Sequence, residues 1–379
     1  MSIVLFDTKA REGLFPLTYT RAVADILVGI VPLKEWWQKL MQQDVYVSTE
    51  GYLAQLYPSI PAGEHLWIDA SVIPGKELVD KLATLQPGES ISDENGLIAI
   101  ITSEHVSKSK NTAANFSTVK RLQHSWQIFH WNDEILRSQY RLIAHNKSAN
   151  VSESTHLVNV TDIFIEDSAV IEHAVLNAST GPIYIGKNVV IMEGSYIRGP
   201  FAIGNNSIVK MGTRIYGATT AGANCVLGGE IKNSVIFSNS NKAHDGYLGD
   251  SVIGEWCNWG AGTSNSNVKN TAGDINICDH LVQKNFNVGK KCGVIMGDYS
   301  RTAINSSINT GSVFGICSNI FGEGLLPKHL RNFSWGVKND QYQIDKAIKD
   351  IGNWMQLKNM QLSQAQIEVV KHIFEHFSK

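Results

Sequence analysis

The sequence has almost no net charge and no long apolar run. Its 33 Lys and Arg residues face 35 Asp and Glu residues, so no general basic field is present to attract nucleic acid or an anionic membrane. The first residues lack the basic start and long apolar core of a secretion signal, and no apolar stretch is long enough to span a bilayer. We therefore expect a cytoplasmic protein that acts on small molecules, without nucleic acid or membrane partners.

Cysteine is also scarce, and the cysteines present show no CxxC pairing. The five cysteines are Cys225, Cys257, Cys278, Cys292 and Cys317, and four of them lie in repeat-like sequence, where a small apolar side chain would fill an interior. This pattern favours buried free thiols over disulfides or a metal site.

A period of six residues runs through the middle of the chain. Aliphatic residues recur in one unbroken phase at eight positions: Ile185, Ile191, Ile197, Ile203, Val209, Ile215, Ala221 and Leu227. Glycine often follows the aliphatic residue, and small or β-branched residues lie four places on. An amphipathic helix or an ordinary strand does not produce this period. It predicts a left-handed parallel β-helix of hexapeptide repeats over residues 146–335.

The flanking regions differ from the coil. Residues 1–145 predict a mixed α/β domain of the Rossmann-like nucleotidyltransferase type, with strands at Ile3–Phe6 and Leu66–Ile68 and helices at Leu33–Leu40 and Glu77–Leu85. Residues 336–379 predict two amphipathic helices, the second with a capping box, which would cover the open end of the coil or pack on a neighbouring subunit.

Two breaks in the period, at residues 237–247 and 264–287, predict loops that leave the coil, and loops of solenoids often carry function. We expect one face of the coil to gather six polar residues: Arg214, Lys232, His244, Tyr247, Asn258 and Asn267. His244 is a candidate general base. Arg214 and Lys232 are eighteen residues apart, which is three hexads, so we expect them on one face as a phosphate clamp.

The spacing of these residues resembles that of a known family. The motifs are EIK (Glu230–Lys232), KAH (Lys242–His244), YLGDSVIG (Tyr247–Gly254) and NWGAGT (Asn258–Thr263). They are similar to the acetyltransferase half of the bifunctional bacterial enzymes that make UDP-N-acetylglucosamine from glucosamine 1-phosphate.

The resemblance implies a function and roles for the residues. It implies an acetyltransferase that uses acetyl-CoA, in which Tyr247 and Asn258 contact the sugar and Asn267 positions the substrate or the thioester. It also implies a homotrimer with active sites at the subunit interfaces. The backbone N–H near Ala261, within a run of small residues, is a candidate donor to the oxyanion of the acyl group.

The CoA side matches the family less well. Asp298 stands where a small hydroxyl residue is expected, and Arg301, Lys328 and Arg331 are candidates for the CoA phosphates, with a solvated role as the alternative for each.

The first domain departs further from the family, because the glycine-rich phosphate loop is absent. Arg11, Arg21 and Lys34 are candidate replacements for nucleotide binding, and Asp69 follows a predicted strand where the resemblance implies a magnesium-binding aspartate. Two hypotheses remain for this domain, namely uridylyl transfer from UTP with Mg²⁺ or a role in packing or binding. A further alternative for the whole chain is a nucleotidyltransferase for another sugar 1-phosphate, with the coil used for oligomerisation or regulation.

Overall fold

The computed structural model describes residues 1–106, 113–144, 151–279, 284–338 and 340–378. The chain divides into two compact units, one formed by residues 1–26 and 31–124 and the other by residues 27–30 and 125–379. Helix α4 (Gln127–Ile143) thus groups with the coil, although the sequence suggested a division near residue 145. The domain limits 1–145, 146–335 and 336–379 stay predictions.

The N-terminal unit is built on one mixed sheet. Its strands are β1 (Ser2–Phe6), β2 (Val45–Ser48), β3 (His65–Asp69), β4 (Ser90–Asp93), β5 (Gly96–Thr102) and β6 (Ala113–Asn115), in the order β2-β1-β3-β5-β4-β6. Strand β1 is parallel to β2 and β3, whereas β5 is antiparallel to β3 and β4. The apolar runs that predicted β1 and β3 are buried at the centre of the sheet, which explains why they lack alternation.

Short helices surround this sheet. They are α1 (Leu33–Met41), α2 (Gly51–Ala54) and α3 (Lys76–Leu82), with 3₁₀ turns at Lys9–Leu14 and Val23–Asp25. Both predicted helices are confirmed, although α3 ends at Leu82 because its last residues form a turn.

The second unit is a parallel β-solenoid with three strand columns, here called sheets A, B and C. Sheet A contains His156–Val158, Val175–Asn177, Tyr196–Arg198, Arg214–Tyr216, Glu230–Lys232 and Tyr247–Gly249. Sheet B contains Ile163–Ile165, Ile183–Ile185, Phe201–Ile203, Thr219–Ala221, Val235–Ile236, Val252–Ile253, Val294–Met296, Ser312–Phe314 and His329–Leu330. Sheet C contains Val170–Ile171, Val190–Ile191, Ile208–Val209, Val226–Leu227, Asn241–Lys242, Arg301–Thr302, Asn319–Ile320, Ser334–Trp335 and Asp340–Gln341, with bridges through Asn258 linking its two parts. Further elements are the 3₁₀ turn Val160–Asp162, the pair Ser264–Asn265 and Ser307–Ile308, and the hairpin Asn276–Asp279 with Lys284–Asn287.

The six-residue phase is confirmed by the strand register. Ile185 pairs with Ile203, which pairs with Ala221, and Ile197 pairs with Ile215 one column away. All eight residues of the phase are at most 2% exposed and belong to the core of the coil. Each rung therefore buries one aliphatic side chain per face, and this continuous burial stabilises the solenoid.

The rungs shorten where the polar residues begin. Arg214 pairs with Glu230, sixteen residues on, because only Gly228 and Gly229 separate the strands that meet at this corner. The prediction of a full eighteen-residue rung between Arg214 and Lys232 is therefore wrong. Lys232 is on the neighbouring strand but opposite Tyr216.

Both predicted loops are smaller than expected at the coil. Asn241–Lys242 remains a strand of sheet C, so residues 237–247 are divided into two short corners, at 237–240 and 243–246. Within 264–287 the coil keeps Ser264–Asn265, and the hairpin after it leaves the solenoid.

Helices cover parts of the coil. Asn132 of α4 donates to the carbonyl of Ala218 at 2.8 Å and to the hydroxyl of Thr220 at 3.0 Å. The C-terminal helices are α5 (Ile344–Gln356) and α6 (Gln364–Phe377), and the Ser363 capping box with Gln366 is confirmed. Phe374 of α6 packs edge to face on Phe333 of the last rungs, so α6 covers this end. No helix in the described ranges is long and apolar enough to cross a membrane.

The thiol prediction is confirmed for the part of the chain that is described. Cys225, Cys257, Cys292 and Cys317 are free and buried, whereas the side chain of Cys278 lies outside the described residues.

Candidate functional site

The outer surface of sheet A carries two cations with a carboxylate between them. Because Ile215 and Ile231 point into the core, their neighbours Arg214, Glu230 and Lys232 point outwards. The Arg214 side chain is 57% exposed, and its Nη2 lies 3.8 Å from Oε2 of Glu230. An exposed pair of this kind adds little stability, so Arg214 remains able to bind an anion.

Tyr216 links these groups. Its hydroxyl donates to Oε1 of Glu230 at 2.6 Å, and this hydrogen bond raises the pKa of Tyr216 to about 12. The ammonium of Lys232 lies 5.7 Å from the centre of the Tyr216 ring, within cation–π range. Arg214 and Lys232 are thus on one face and on adjacent rungs, but they are displaced by two residues along the strand and separated by Tyr216 and Glu230.

A second polar group lies on the next strand. Nδ2 of Asn267 donates to the Tyr247 hydroxyl at 3.0 Å and to the carboxylate of Asp250, which also accepts from Asn233 at 2.7 Å. Burial raises the pKa of Tyr247, so its phenol stays protonated at neutral pH. The structure therefore brings the candidates Tyr247 and Asn267 together around a buried carboxylate, and their roles toward a substrate stay predictions.

His244 lies at the corner between sheets C and A. Its side chain is exposed, and its ring has no hydrogen-bond partner among the described residues. The corner is held by Lys242, whose Nζ donates to the carbonyls of Gly228 and His244. Burial lowers the pKa of Lys242 to about 8, which shows how far this ammonium is removed from water.

Ala261 occupies the same corner one rung further along. The N–H of Gly262 donates to the carbonyl of Asp245 at 3.0 Å, which ties the two rungs together. Ala261 is half-buried and next to open solvent on the side of Gly262. The candidate base and the candidate oxyanion donor thus lie on adjacent rungs of one corner.

Asn258 and Arg301 lie elsewhere, on sheet C. Asn258 forms backbone bridges with Asn241 on one side and with Arg301 on the other. The side chain of Lys358, which follows helix α5, donates to Asn241. Arg301 is only 8% exposed and lies 5.2 Å from the Trp354 ring of α5. Arg301 is thus buried beside α5, and its role toward CoA stays a prediction.

Arg331 is at the other end of the coil and is exposed. It lines a cavity of about 270 Å³ with Asn332, Phe333, Ser334, Asp340, Gln341 and Ser378. Its role toward CoA stays a prediction, and so does that of the exposed Lys328.

The N-terminal candidates are mostly engaged in internal contacts. Arg11 is 5% exposed and donates to the carbonyl of Thr18 at 2.6 Å and to the Tyr52 hydroxyl. Arg21 is buried as well. Lys34 is half-exposed and lines an open cleft of about 500 Å³ with Asp25, Pro32, Glu35, Gln38 and Lys39. The structure therefore leaves Lys34 available to a ligand, whereas Arg11 holds the segment that replaces the glycine loop.

Asp69 does not fit a magnesium ligand. Its Oδ2 accepts from Nε of Arg121 at 3.3 Å, and its Oδ1 accepts from the N–H and hydroxyl of Ser71 at 2.9 and 2.8 Å. Burial raises its pKa. Within the described ranges no group of three or more His, Cys, Asp or Glu residues is arranged to hold a metal. The predicted metal role of Asp69 conflicts with these contacts.

The sequence analysis missed Tyr216, Glu230, Lys242 and Asp250. Glu230, Lys242 and Asp250 stand inside the motifs quoted for the family resemblance, but were not singled out. Asp250 stands out in the structure, because it is the only carboxylate among the described non-glycine residues with a positive φ, where Asn is the most frequent type.

Comparison with known families agrees with this architecture. Residues 3–148 match the family model for sugar nucleotidyl transferases, and residues 182–217 match the model for bacterial transferase hexapeptide repeats. The chain thus has a nucleotidyltransferase-like N-terminal domain, a parallel β-solenoid and C-terminal helices, which confirms the predicted fold class. The handedness of the coil stays a prediction.

The similar proteins are named as bifunctional, and one of them carries two activities in its name. The chain is 33% identical over 117 residues to the bifunctional protein GlmU of Methanococcus maripaludis, covering 31% of this chain and 28% of that protein. It is 36% identical over 93 residues to a bifunctional sugar-1-phosphate nucleotidylyltransferase/acetyltransferase of Sulfurisphaera tokodaii. This match covers 24% of this chain and 23% of that protein. The chain therefore resembles the GlmU family, and each match spans less than a third of the relative's length. A solved UDP-N-acetylglucosamine acyltransferase of Francisella novicida aligns over 61% of this chain and 91% of that chain at 14% identity, but its TM-score is 0.20, too low to support an argument.

Proposed function

We propose that the chain is an acetyltransferase that transfers the acetyl group of acetyl-CoA to the amine of glucosamine 1-phosphate or a closely related amino-sugar phosphate. The observation that carries this proposal is the corner where His244 and Ala261 occupy adjacent rungs: His244 directly precedes the strand of sheet A that presents Tyr247, and Lys232 lies on the strand one rung earlier. A base, an amide donor and a cationic surface thus follow one another along the coil.

The proposed reaction balances as an aminolysis of a thioester. The neutral amine attacks the thioester carbonyl, and His244 takes the proton that the nitrogen loses. The N–H near Ala261 stabilises the oxyanion of the tetrahedral adduct. The adduct then expels the CoA thiolate, which takes a proton to leave as free CoA, while Arg214 and Lys232 bind the sugar phosphate.

The position of Asn258 supports a site shared between subunits. Asn258 is on sheet C, whereas Arg214, Lys232 and Tyr247 are on sheet A. A side chain on a different face can join this group if a second copy supplies it, as in the proposed homotrimer. The setting we propose is cytoplasmic, in keeping with four buried free thiols.

A second activity is uridylyl transfer from UTP to N-acetylglucosamine 1-phosphate, with release of pyrophosphate. The match of residues 3–148 to sugar nucleotidyl transferases favours it, and Lys34 in its open cleft is the available cation. The contacts of Asp69 do not fit a metal ligand, so the proposal assigns this residue no role in binding Mg²⁺. The alternative is nucleotidyl transfer with another nucleotide or sugar, the coil serving oligomerisation or regulation.

The acetyl transfer is tested by measuring CoA release from acetyl-CoA with glucosamine 1-phosphate, galactosamine 1-phosphate and glucosamine 6-phosphate as acceptors. We expect release with a 1-phosphate acceptor and none with N-acetylglucosamine 1-phosphate, which lacks the free amine. Release that is independent of the acceptor would indicate thioester hydrolysis and contradict the proposal.

The uridylyl transfer is tested by incubating the protein with UTP, Mg²⁺ and N-acetylglucosamine 1-phosphate and measuring pyrophosphate. The same assay with the other nucleoside triphosphates and sugar phosphates distinguishes the alternative. No pyrophosphate with any pair would leave the first domain without transferase activity.

A further inference from the structure

The corners of the solenoid contain ladders of side chains in the left-handed region of the backbone. Between sheets B and C, Asn188 donates to Asn206 at 3.0 Å and Asn224 donates to Asn239 at 3.1 Å, all with positive φ. An amide satisfies such a corner fully, because it can accept from the rung before and donate to the rung after.

The ladder at the corner between sheets A and B ends in a carboxylate and not in an amide. Asn233 with φ 45° donates to Asp250 with φ 48°, so a carboxylate replaces the amide at the next rung. Asp250 is 3% exposed, and burying a charge is costly unless it is paired or fully hydrogen-bonded. An Asn at this position would fit the corner equally well, so the carboxylate is not explained by the turn.

The second oxygen of Asp250 gives the reason. A carboxylate only accepts hydrogen bonds, so Asn267 must turn its NH₂ group toward Oδ2 of Asp250. The same NH₂ group then donates to the Tyr247 hydroxyl at 3.0 Å. The carboxylate thus fixes which end of the Asn267 amide faces Tyr247.

Because the Tyr247 hydroxyl accepts from Asn267, its own proton is left for another acceptor. The phenol oxygen accepts from Asn267, and none of the described residues accepts the phenol proton. The hydroxyl is therefore free to donate toward the outer surface of sheet A, where Glu230 is the register partner of Tyr247. Since burial raises the pKa of Tyr247, the proton is retained at neutral pH.

We propose that Asp250 is a positioning residue for the acceptor sugar: it holds the Asn267 amide so that the Tyr247 hydroxyl donates to an oxygen of the bound amino-sugar phosphate. The inference rests on the proposed acetyl transfer, and it goes beyond that proposal by assigning a role to a residue that does not itself contact the substrate.

The kinetic test uses Asp250→Asn, Tyr247→Phe and the double variant. In Asp250→Asn the new amide cannot accept from both Asn233 and Asn267, so we expect the KM for the acceptor to rise about tenfold while the KM for acetyl-CoA stays within about twofold. In the Tyr247→Phe background Asp250→Asn should raise the KM for the acceptor by less than about threefold, because both residues act through one hydrogen bond. Independent, multiplicative effects would overturn the proposal.

The matched control is Asn206→Asp, which also exchanges an amide and a carboxylate at a left-handed corner but has no counterpart of Asn267. We expect its KM values to stay within about twofold of the wild type. An equal rise in the acceptor KM in this variant would show a general effect of corner charge and contradict the proposal.

A crystal structure of Asp250→Asn separates this inference from the proposed function. We expect Asn267 to move or to rotate so that its NH₂ group no longer donates to Tyr247. If the hydrogen bond persists, the positioning role is wrong whether or not the protein transfers acetyl groups. If the wild type releases no CoA but the hydrogen bond is lost, the acetyl transfer fails and the dependence of the network on Asp250 stands.

Discussion

Arg121 of the N-terminal unit and Arg214 of the coil are used in opposite ways. In the N-terminal unit Arg121 is buried between Asp69 and Asp93, with N–O distances of 3.3 and 2.5 Å. On sheet A of the coil Arg214 is exposed and lies 3.8 Å from Glu230. The first arrangement holds a fold together, whereas the second leaves a cation available for an anionic ligand.

The difference follows from the architecture. In the solenoid each rung satisfies the backbone hydrogen bonds of the next rung, and the inward aliphatic residues supply the core, so outward side chains are not needed for folding. In the N-terminal unit a long irregular segment replaces a glycine loop, and its polar groups must be paired inside the protein. The buried Arg121 therefore serves the structure of the first unit, whereas the exposed Arg214 on sheet A is available to a ligand.

The largest expected effect is on catalysis by the coil. Removal of a general base costs about 10²- to 10⁴-fold in rate, so His244→Ala should lower kcat for CoA release by that factor. Because the ring has no partner among the described residues, the melting temperature should be unchanged. The control is His156→Ala, at an exposed histidine on an early rung of sheet A, and an equal loss of kcat in this variant would contradict the assignment.

The next effect is on stability in the N-terminal unit. Arg121→Met would leave the carboxylates of Asp69 and Asp93 without their cation, and breaking such a buried pair costs about 3–5 kcal/mol. Urea unfolding of the first unit measures this loss. Lys76→Ala removes an exposed pair with Asp80 and should change the free energy of unfolding by less than about 1 kcal/mol. If Arg121→Met lowered the free energy of unfolding no more than Lys76→Ala does, the contrast between the units would be removed.

The sequence predicted the coil better than the site. The phase from Ile185 to Leu227 fixed which residues are buried, because a solenoid repeats one local environment on every rung. The register of Arg214 was not predictable from that phase, since the two glycines at the corner shorten the rung and shift Lys232 opposite Tyr216.

Contacts between residues that are distant in sequence were also not predictable. Arg121 and Asp69 are 52 residues apart, and no periodicity connects them. The burial of Arg301 depends on Trp354 of a C-terminal helix, which the sequence assigned to an end cap or to packing on a neighbouring subunit. Long-range pairing of this kind decides whether a charged residue is available to a ligand.

A smaller effect concerns the pH dependence of the first unit. Burial raises the pKa of Asp7 from 3.8 to about 6, against hydrogen bonds from Thr49 and Val23. The folded state then binds this proton more tightly than the unfolded chain, so the contribution of Asp7 to stability is fully present below about pH 4 and is lost as the pH rises to about 6, by no more than about 3 kcal/mol. Urea midpoints between pH 4 and 8 measure this slope, which Asp7→Asn should flatten; an unchanged slope would mean that another group titrates.

The smallest effect tests the exposed cation on which the comparison rests. Arg214→Ala should raise the KM for the sugar phosphate about tenfold and leave the KM for acetyl-CoA within about twofold, because a charge-assisted hydrogen bond to phosphate is lost and little packing changes. Arg198→Ala is the matched control, since Arg198 is also exposed on sheet A, one rung further from His244. Equal rises in both KM values would refute the phosphate clamp. An equal acceptor effect in Arg198→Ala would instead indicate general electrostatic attraction, in which case the exposed cations of sheet A act as a field and not as a site.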